Sequence, residues 1–436
     1  MADASSKSSK FLIQGLGGKQ ELSGSIRVMG AKNAALKALA ASLLFEDGIT
    51  LKNVPDIEDV KRMNDILSLI GVRVSQKRGG EFVLSVTDAL KTDLPTDLAQ
   101  KMRASIVLTG PLLGRFGKVS FPHPGGCVIG ERPIDLFLSG FEAMGAHVSN
   151  KDDRYTLTVP EGKLHGATIF FKKPSVTATE TLMMAATLAE GETIIKNAAK
   201  EPEIPILANF LNSCGARIRG GGEDEIHIIG GGLLSGGRDT FYTPPDRIET
   251  GSFLILGALC GYDFEITQCN PAHVEALVEV LRQSGVVMDI GKNSISIHGN
   301  KHEGQFRSVN IETREYPGFP TDLQAPMTVF LTQTNGQSLV FETIFEGRLQ
   351  YVDELIRMGA HIQLCDPHRV IVRGPSTLKG REMESPDLRA GLAFVIAAIV
   401  AKGESVIHNV YNIDRGYERI EERLQKIGVN IKRIGS

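Results

Sequence analysis

Six short stretches of this chain repeat one pattern: SLIGVRV, EAMGAHV, NSCGARI, RQSGVVM, IRMGAHI and QKIGVNI. In each, an apolar helical run ends on glycine and a short alternating strand follows. The glycines are Gly71, Gly145, Gly215, Gly285, Gly359 and Gly428, spaced by 74, 70, 70, 74 and 69 residues. A fixed spacing of this kind marks repeated supersecondary units, and it constrains the fold more than any other feature of the sequence. Within a unit the order also recurs. A strand (GATIFFKK, SVNIETRE) precedes a small-residue-rich helix (TATETLMMAATLAEG, DLRAGLAFVIAAIVAKG). A second strand (ETIIKNA, ESVIHNV), an amphipathic helix (IPILANFLNSCG, YERIEERLQKIG) and a closing strand pair complete the unit. The first helix of each unit is apolar all round and is expected to be buried; the second is expected to be half exposed. Glycine suits the helix C-terminus, while Asn270-Pro271 and Asp414 read as helix starts.

Six βαβαββ units of about 70 residues exceed what one core organises, so the α/β chain divides three and three. The break falls near YTPPDRIETG. The early strand in LSGSIRVMG has no partner in its own repeat, because the unit that follows begins with AKNAALKALAASLL. The predicted domains are therefore residues 32–244, and residues 1–31 joined to 245–436. The chain would cross between them near Met29 to Asn33 and near Pro244 to Arg247. Ligands are expected in the cleft between two such domains.

Composition excludes several classes of function. The net charge of −3 argues against a partner rich in phosphodiester charge or an anionic membrane surface. The longest apolar runs fall short of a membrane span. The start, MADASSKSSK, lacks the apolar segment of a secretory signal. Five scattered cysteines without a CxxC pair fit a reducing cytoplasm and give neither a disulfide framework nor a zinc site. No P-loop and no strand-linked GxGxxG is present, and the histidines have no metal-ligand spacing.

Chemistry concentrates in two features. The stretch PHPGGCVIGERPID sets Cys127 behind Gly125 and Gly126 in a proline-punctuated loop, five residues before Arg132. A cysteine there is either a packed small apolar side chain or an exposed thiol whose thiolate Arg132 favours. The second feature is a series of arginines beside glycine, proline or helix-start signals: Arg103, Arg132, Arg247, Arg348, Arg389 and Arg415. Any one could be a surface ion pair. Arginine at a helix N-terminus opposes the helix dipole, however, and guanidinium forks bind phosphate and carboxylate bidentately. Six such sites in different repeats point to a ligand with several negative charges.

The stretches GAKNAALKALAASLL, PGGCVIGERPID, EPEI, PDRIETG, FPTDLQA, PDLRAG and IDRGYERIE, in this order from about Phe11 to Ile434, resemble the UDP-N-acetylglucosamine 1-carboxyvinyltransferases. These belong to the enolpyruvyl transferase family. The resemblance implies two similar domains of three βαβαββ repeats each, an inside-out α/β barrel type, with the ligand cleft between them. It implies transfer of the enolpyruvyl group of phosphoenolpyruvate to the 3-hydroxyl of UDP-N-acetylglucosamine, with release of phosphate and no metal or organic cofactor. By resemblance, Cys127 is the general acid, able to carry a phospholactoyl adduct and to react with fosfomycin. Lys32, Arg132 and Arg415 are implied to bind phosphoenolpyruvate. Asn33, Arg103, the run Arg132, Pro133, Ile134, Asp135 and Leu136, the run Lys173, Pro174, Ser175 and Val176, Asp322 and Ile344 are implied to bind the sugar nucleotide. Asp322 would take the proton of the attacking hydroxyl, although in PTDLQA it also reads as a helix N-cap. Arg348, Asp387 and Arg389 are implied to be further cleft residues.

That chemistry is coherent. Protonating C3 of phosphoenolpyruvate makes C2 electrophilic, a carboxylate assists the hydroxyl that adds there, and cations stabilise the departing phosphate. Four residues depart from the family pattern: Phe137 stands in place of histidine, Gly347 in place of asparagine, Lys37 in place of proline, and Glu131 lies beside Arg132. Two other readings remain open. One is the sister activity, 5-enolpyruvylshikimate-3-phosphate synthase, which lacks the loop cysteine; the other is a catalytically silent sugar-nucleotide sensor. The remaining cysteines are expected to react slowly, Cys214 and Cys260 on apolar helices and Cys269 and Cys365 at strand ends.

Overall fold

A computed structural model describes residues 9–87, 90–125, 133–236, 240–299 and 306–435. The third repeat displays the unit in full. Strand Thr168–Phe170 leads to helix Val176–Thr187, strand Glu192–Lys196, helix Glu203–Ser213 and strands Arg217–Arg219 and Glu225–Ile229. Thr168–Phe170 pairs parallel with Glu192–Lys196, and the remaining pairs are antiparallel. The fifth repeat runs identically from Ile311–Glu312 to Arg369–Gly374. In the second repeat the opening strand has shrunk to one parallel bridge, Asp93 with Ser120, beside a three-stranded sheet.

The repeating glycines punctuate these units for a backbone reason. All six lie at φ between 92° and 106°, immediately after a helix C-cap or one residue further on. A side chain at such φ crowds the neighbouring carbonyl, so glycine is the residue that ends the helix and turns the chain into the next strand.

The two helices of a unit differ as their patterns require. In Leu388–Val400, every residue from Arg389 to Val400 is buried. In Glu275–Gln283, only Leu277, Val278 and Leu281 are. Burial of the first helices extends to charge: Lys32 and Lys37 both lie inside on Lys32–Ala41.

The chain forms two compact units, passing from one to the other after Met29 and after Pro244. Each has its own apolar core. In the unit of residues 30–244, strand Thr240–Tyr242 returns to pair parallel with Ile49–Lys52 and supplies the opening strand of the first repeat. In the other unit, Leu22–Arg27 pairs parallel with Gly261–Thr267 and opens the fourth repeat. Lys10–Gln14 lies between Glu404–His408 and Asn430–Ile434 and closes the sixth.

Two local expectations need correction. Asn270 does cap its helix, accepting from the Ala272 amide, but Asp414 is the last residue of helix Tyr411–Asp414 and not a start. Its carboxylate is drawn instead to Arg433. Cys365 lies within strand His361–Asp366 and is exposed, so burial does not protect it. Cys214, Cys260 and Cys269 are buried; burial alone pushes the Cys260 thiol up to about 12. No described helix is long and apolar enough to cross a membrane.

Candidate active site

Within each unit, several candidate residues stand at or beside the starts of the buried first helices. In the 30–244 unit, Lys32 is the first residue of its helix, where the dipole disfavours a cation. The compensation is Asp59, buried on helix Glu58–Leu69, with Oδ2 2.5 Å from Lys32 Nζ. Asn33 follows, half-buried. Arg103 opens the next first helix and donates through Nη2 to the Pro133 carbonyl at 3.2 Å, which joins two candidate residues distant in sequence. Ile134 is buried, and Asp135 and Leu136 begin helix Asp135–Ala143. Ser175 caps helix Val176–Thr187, accepting from the Ala178 amide at 3.3 Å. Lys173 is exposed, and Pro174 is half-buried. Gly125 is dictated by close approach: a Cβ there would sit 1.4 Å from the Gln100 carbonyl oxygen. Cys127, Arg132 and Glu131 lie outside the described residues.

The departures at Phe137 and Lys37 both point inward. Phe137 joins the apolar core. Lys37 Nζ lies 2.9 Å from Glu180 Oε2, both side chains being buried. Burial raises Glu180, Lys37 lowers it, and Glu203 and Glu201 raise it again, leaving its carboxyl at about 7. Sequence reading treated Lys37 only as a missing proline; an all-buried helix with a lysine on it was the available signal.

Among the described residues, the other unit carries the denser charge cluster. Asp246 and Asp387 spend their side chains as N-caps. Asp246 accepts from the Ile248 and Glu249 amides at 2.8 and 3.1 Å. Asp387 accepts from the Arg389 and Ala390 amides at 2.7 and 3.1 Å. Asp322, expected as an N-cap, is not one; it lies inside the short turn Thr321–Leu323 with no capping bond. Its carboxylate faces arginines instead. Oδ1 accepts from Arg348 Nη2 at 2.5 Å, and Oδ2 lies 3.3 Å from Arg389 Nη2. Burial pushes the Asp322 carboxyl up, but the guanidiniums of Arg389, Arg348 and Arg247 outweigh it and hold the group well below the usual carboxylate range. Arg389 is held in turn by buried Tyr417, whose hydroxyl accepts from Nη1 at 2.9 Å.

Two supporting groups escaped the sequence reading. Tyr417 sits inside the motif IDRGYERIE, where Asp414 and Arg415 carry the legible signals. Glu342 is fully buried and gathers four donors: Thr313 Oγ1 at 3.0 Å, Thr321 Oγ1 at 2.9 Å, and the Ile344 and Phe345 amides at 2.9 and 3.1 Å. It thereby ties the Asp322 turn to the Ile344 segment. Nothing in FETIFEGR separates this glutamate from its neighbour Glu346 before folding. Arg415 follows helix Tyr411–Asp414 as its C-cap and is half-buried.

A family model described as EPSP synthase (3-phosphoshikimate 1-carboxyvinyltransferase) matches residues 16–424. The chain belongs to the enolpyruvyl transferase family. Its enolpyruvyl transferase relatives include a UDP-N-acetylglucosamine 1-carboxyvinyltransferase of Idiomarina loihiensis, 44% identical over 98% of this chain and 99% of that one. Another, of Acidobacterium capsulatum, is 44% identical over 98% of this chain and 96% of its own. One from Klebsiella pneumoniae is 42% identical over 98% and 99%. The fold is shared with the enolpyruvyl transferase NikO from Streptomyces tendae, TM-score 0.87 at 22% identity, covering 99% of this chain and 100% of that one. EPSP synthase from Acinetobacter baumannii follows at 0.74 and 17%, covering 98% and 100%.

Proposed function

We propose that this enolpyruvyl transferase moves the enolpyruvyl group of phosphoenolpyruvate onto the 3-hydroxyl of UDP-N-acetylglucosamine and releases phosphate. This is the committing step of peptidoglycan synthesis, and so serves cell-wall growth, shape and division from the cytoplasm. The observation that carries the reading is the Asp322 cluster. There the guanidiniums of Arg389, Arg348 and Arg247 all act on Asp322. Three guanidiniums converging on one place suit a ligand with several negative charges. Relatives at 42–44% identity over nearly the full chain support the acceptor.

The residues divide the work as follows. The Cys127 thiol delivers a proton to C3 of phosphoenolpyruvate, leaving C2 electrophilic. The 3-hydroxyl oxygen adds to C2, and its proton passes to Asp322. A C3 proton then returns to the Cys127 thiolate as the bond from C2 to the phosphate oxygen breaks, expelling phosphate, whose charge Lys32, Arg132 and Arg415 stabilise. Asp322 is a weak base while Arg348 and Arg389 grip it, so accepting that proton requires both arginines to turn part of their hydrogen bonding to bound anion. Asn33, Arg103, Arg132 to Leu136, Lys173 to Val176 and Ile344 bind the sugar nucleotide, with Arg348, Asp387 and Arg389 completing the site. Fosfomycin, an anion joined to an electrophile, is expected to alkylate Cys127.

Phosphate release from phosphoenolpyruvate tests the proposal. Release with UDP-N-acetylglucosamine and not with shikimate 3-phosphate is the expected result. The reverse would assign the sister activity, and release with neither would leave a sugar-nucleotide binder. Peptide mapping after fosfomycin treatment is expected to give one adduct, on Cys127.

A further inference from the structure

We infer that Arg433, on the last strand, is a positioning residue for Arg415, holding it where it meets the anion of phosphoenolpyruvate. This inference rests on the assignment of Arg415 proposed above. The guanidinium of Arg433 bridges the two sides of the turn that carries Arg415. On one side it is bidentate to Asp414, the residue just before Arg415, with Nη1 to Oδ2 at 2.8 Å and Nη2 to Oδ1 at 2.7 Å. On the other it grips Glu421 on helix Ile420–Gln425, with Nε to Oε1 at 2.5 Å and Nη2 to Oε2 at 3.1 Å. Its flat face lies 4.9 Å from the ring centre of Phe11, its cross-strand partner on Lys10–Gln14. A planar fork with five donors can serve two carboxylates and a ring at once; a lysine cannot.

The turn itself needs such a clamp. It joins two short helices, Tyr411–Asp414 and Ile420–Gln425, and Arg419 adopts φ 39°, in the left-handed region. Short helices contribute little rigidity of their own. The turn is also where the site is assembled: Tyr417 accepts from Arg389, and Gly416 packs so closely that a Cβ would come within 2.6 Å of Leu388, the first residue of the Arg389 helix. Among the described residues, Arg433 meets Asp414, Glu421, Ser9 and Phe11, none of them a candidate ligand-binding residue. Its effect passes through Asp414 and Glu421 to the backbone on either side of Arg415.

The test is a double-mutant cycle on the full-length protein, read by phosphate release. Arg433→Gln is expected to lower kcat/KM for phosphoenolpyruvate by about 10- to 100-fold, as misplacement of a binding cation does. The KM for UDP-N-acetylglucosamine is expected to stay within about twofold, the range we assign to an undisturbed subsite. Arg433→Lys should restore little, because it keeps the charge and loses the fork. Glu421→Gln removes one grip and gives an intermediate loss, which serves as the measurement if Arg433→Gln does not fold. In an Arg415→Ala background, Arg433→Gln should add no further loss toward phosphoenolpyruvate. Equal effects on both substrates, full rescue by lysine, or additivity in the Arg415→Ala background would overturn the inference. Arg415→Ala with unchanged phosphoenolpyruvate kinetics would instead overturn the assignment of Arg415, so the two failures are distinguishable.

Discussion

Removing the cation from the buried Lys37–Glu180 pair should change both the stability of the 30–244 unit and its dependence on pH. The pair is 2.9 Å long, and neither side chain reaches solvent to any extent. Burial has lifted the Glu180 carboxyl from 4.5 to about 7 in the folded chain. A carboxyl raised on folding contributes stability that is fully present below pH 4.5 and lost as pH rises through about 7; the difference is roughly 3 kcal/mol. In Lys37→Met the one influence lowering Glu180 disappears, while burial, Glu203 and Glu201 continue to raise it. The loss of stability therefore extends into the alkaline range. At pH 9, holding the proton that the parent gives up at about 7 should cost about 3 kcal/mol, or roughly 6–12 °C in Tm for a unit of this size. At pH 5 Glu180 is protonated with or without Lys37, and the variant should lie within about 1 kcal/mol of the parent because no buried anion is left unpaired. Replacing both partners by methionine should recover most of the alkaline loss. Thermal melts at pH 5 and pH 9 decide the matter. Equal destabilisation at both pH values would show that Lys37 acts through packing alone, and the electrostatic argument would fail.

Three further outcomes are expected. Arg348→Met removes the shorter contact to Asp322, so the carboxyl should move up toward its ordinary value of 3.8 and the acid limb of the pH–rate profile should shift to higher pH; an unmoved limb would refute the pairing. Gly215 stands at φ 106° with nothing near a would-be Cβ, so Gly215→Ala should cost about 1–2 kcal/mol from backbone strain alone, read as a lower Tm; an unchanged Tm would contradict that account. A general thiol reagent should modify Cys365 rapidly and leave Cys214, Cys260 and Cys269 untouched until the protein unfolds, with peptide mapping as the check; early modification of a buried cysteine would contradict its placement.

The repeat was legible because its signals are local. Gly71 and its five counterparts each terminate a helix through a backbone angle that glycine adopts without strain, and that requirement recurs wherever the unit recurs. The buried first helices were legible for a similar reason, since an apolar surface all round leaves nowhere else to go. Side-chain partners were harder. Asp322 in PTDLQA and Asp387 in PDLRAG look alike as strings, yet Asp387 caps its helix and Asp322 turns to Arg348 and Arg389. Which occurs depends on arginines 26 residues or more away along the chain. Asp414 was misread for the same reason, its partner Arg433 belonging to another strand. Asp59, Glu342 and Tyr417 carry no sequence mark at all. Their importance comes from what the fold sets beside them.

The placement of the first two strands has a consequence for how the molecule is made. Leu22–Arg27 finds its parallel partner only in Gly261–Thr267, about 240 residues later, a wait of roughly 12–48 s at ordinary translation speeds. Lys10–Gln14 waits longer still, since its sheet is not complete until Asn430–Ile434 leaves the ribosome. Meanwhile every strand that the 30–244 unit needs, including Thr240–Tyr242, has already been synthesised. The order of emergence thus lets the middle of the chain settle first, while its leading segment trails as an unpaired strand whose exposed edge is open to a neighbouring nascent chain. A gene rearranged to begin at residue 30, with the two early strands moved to the end, would remove that interval without altering a single pairing.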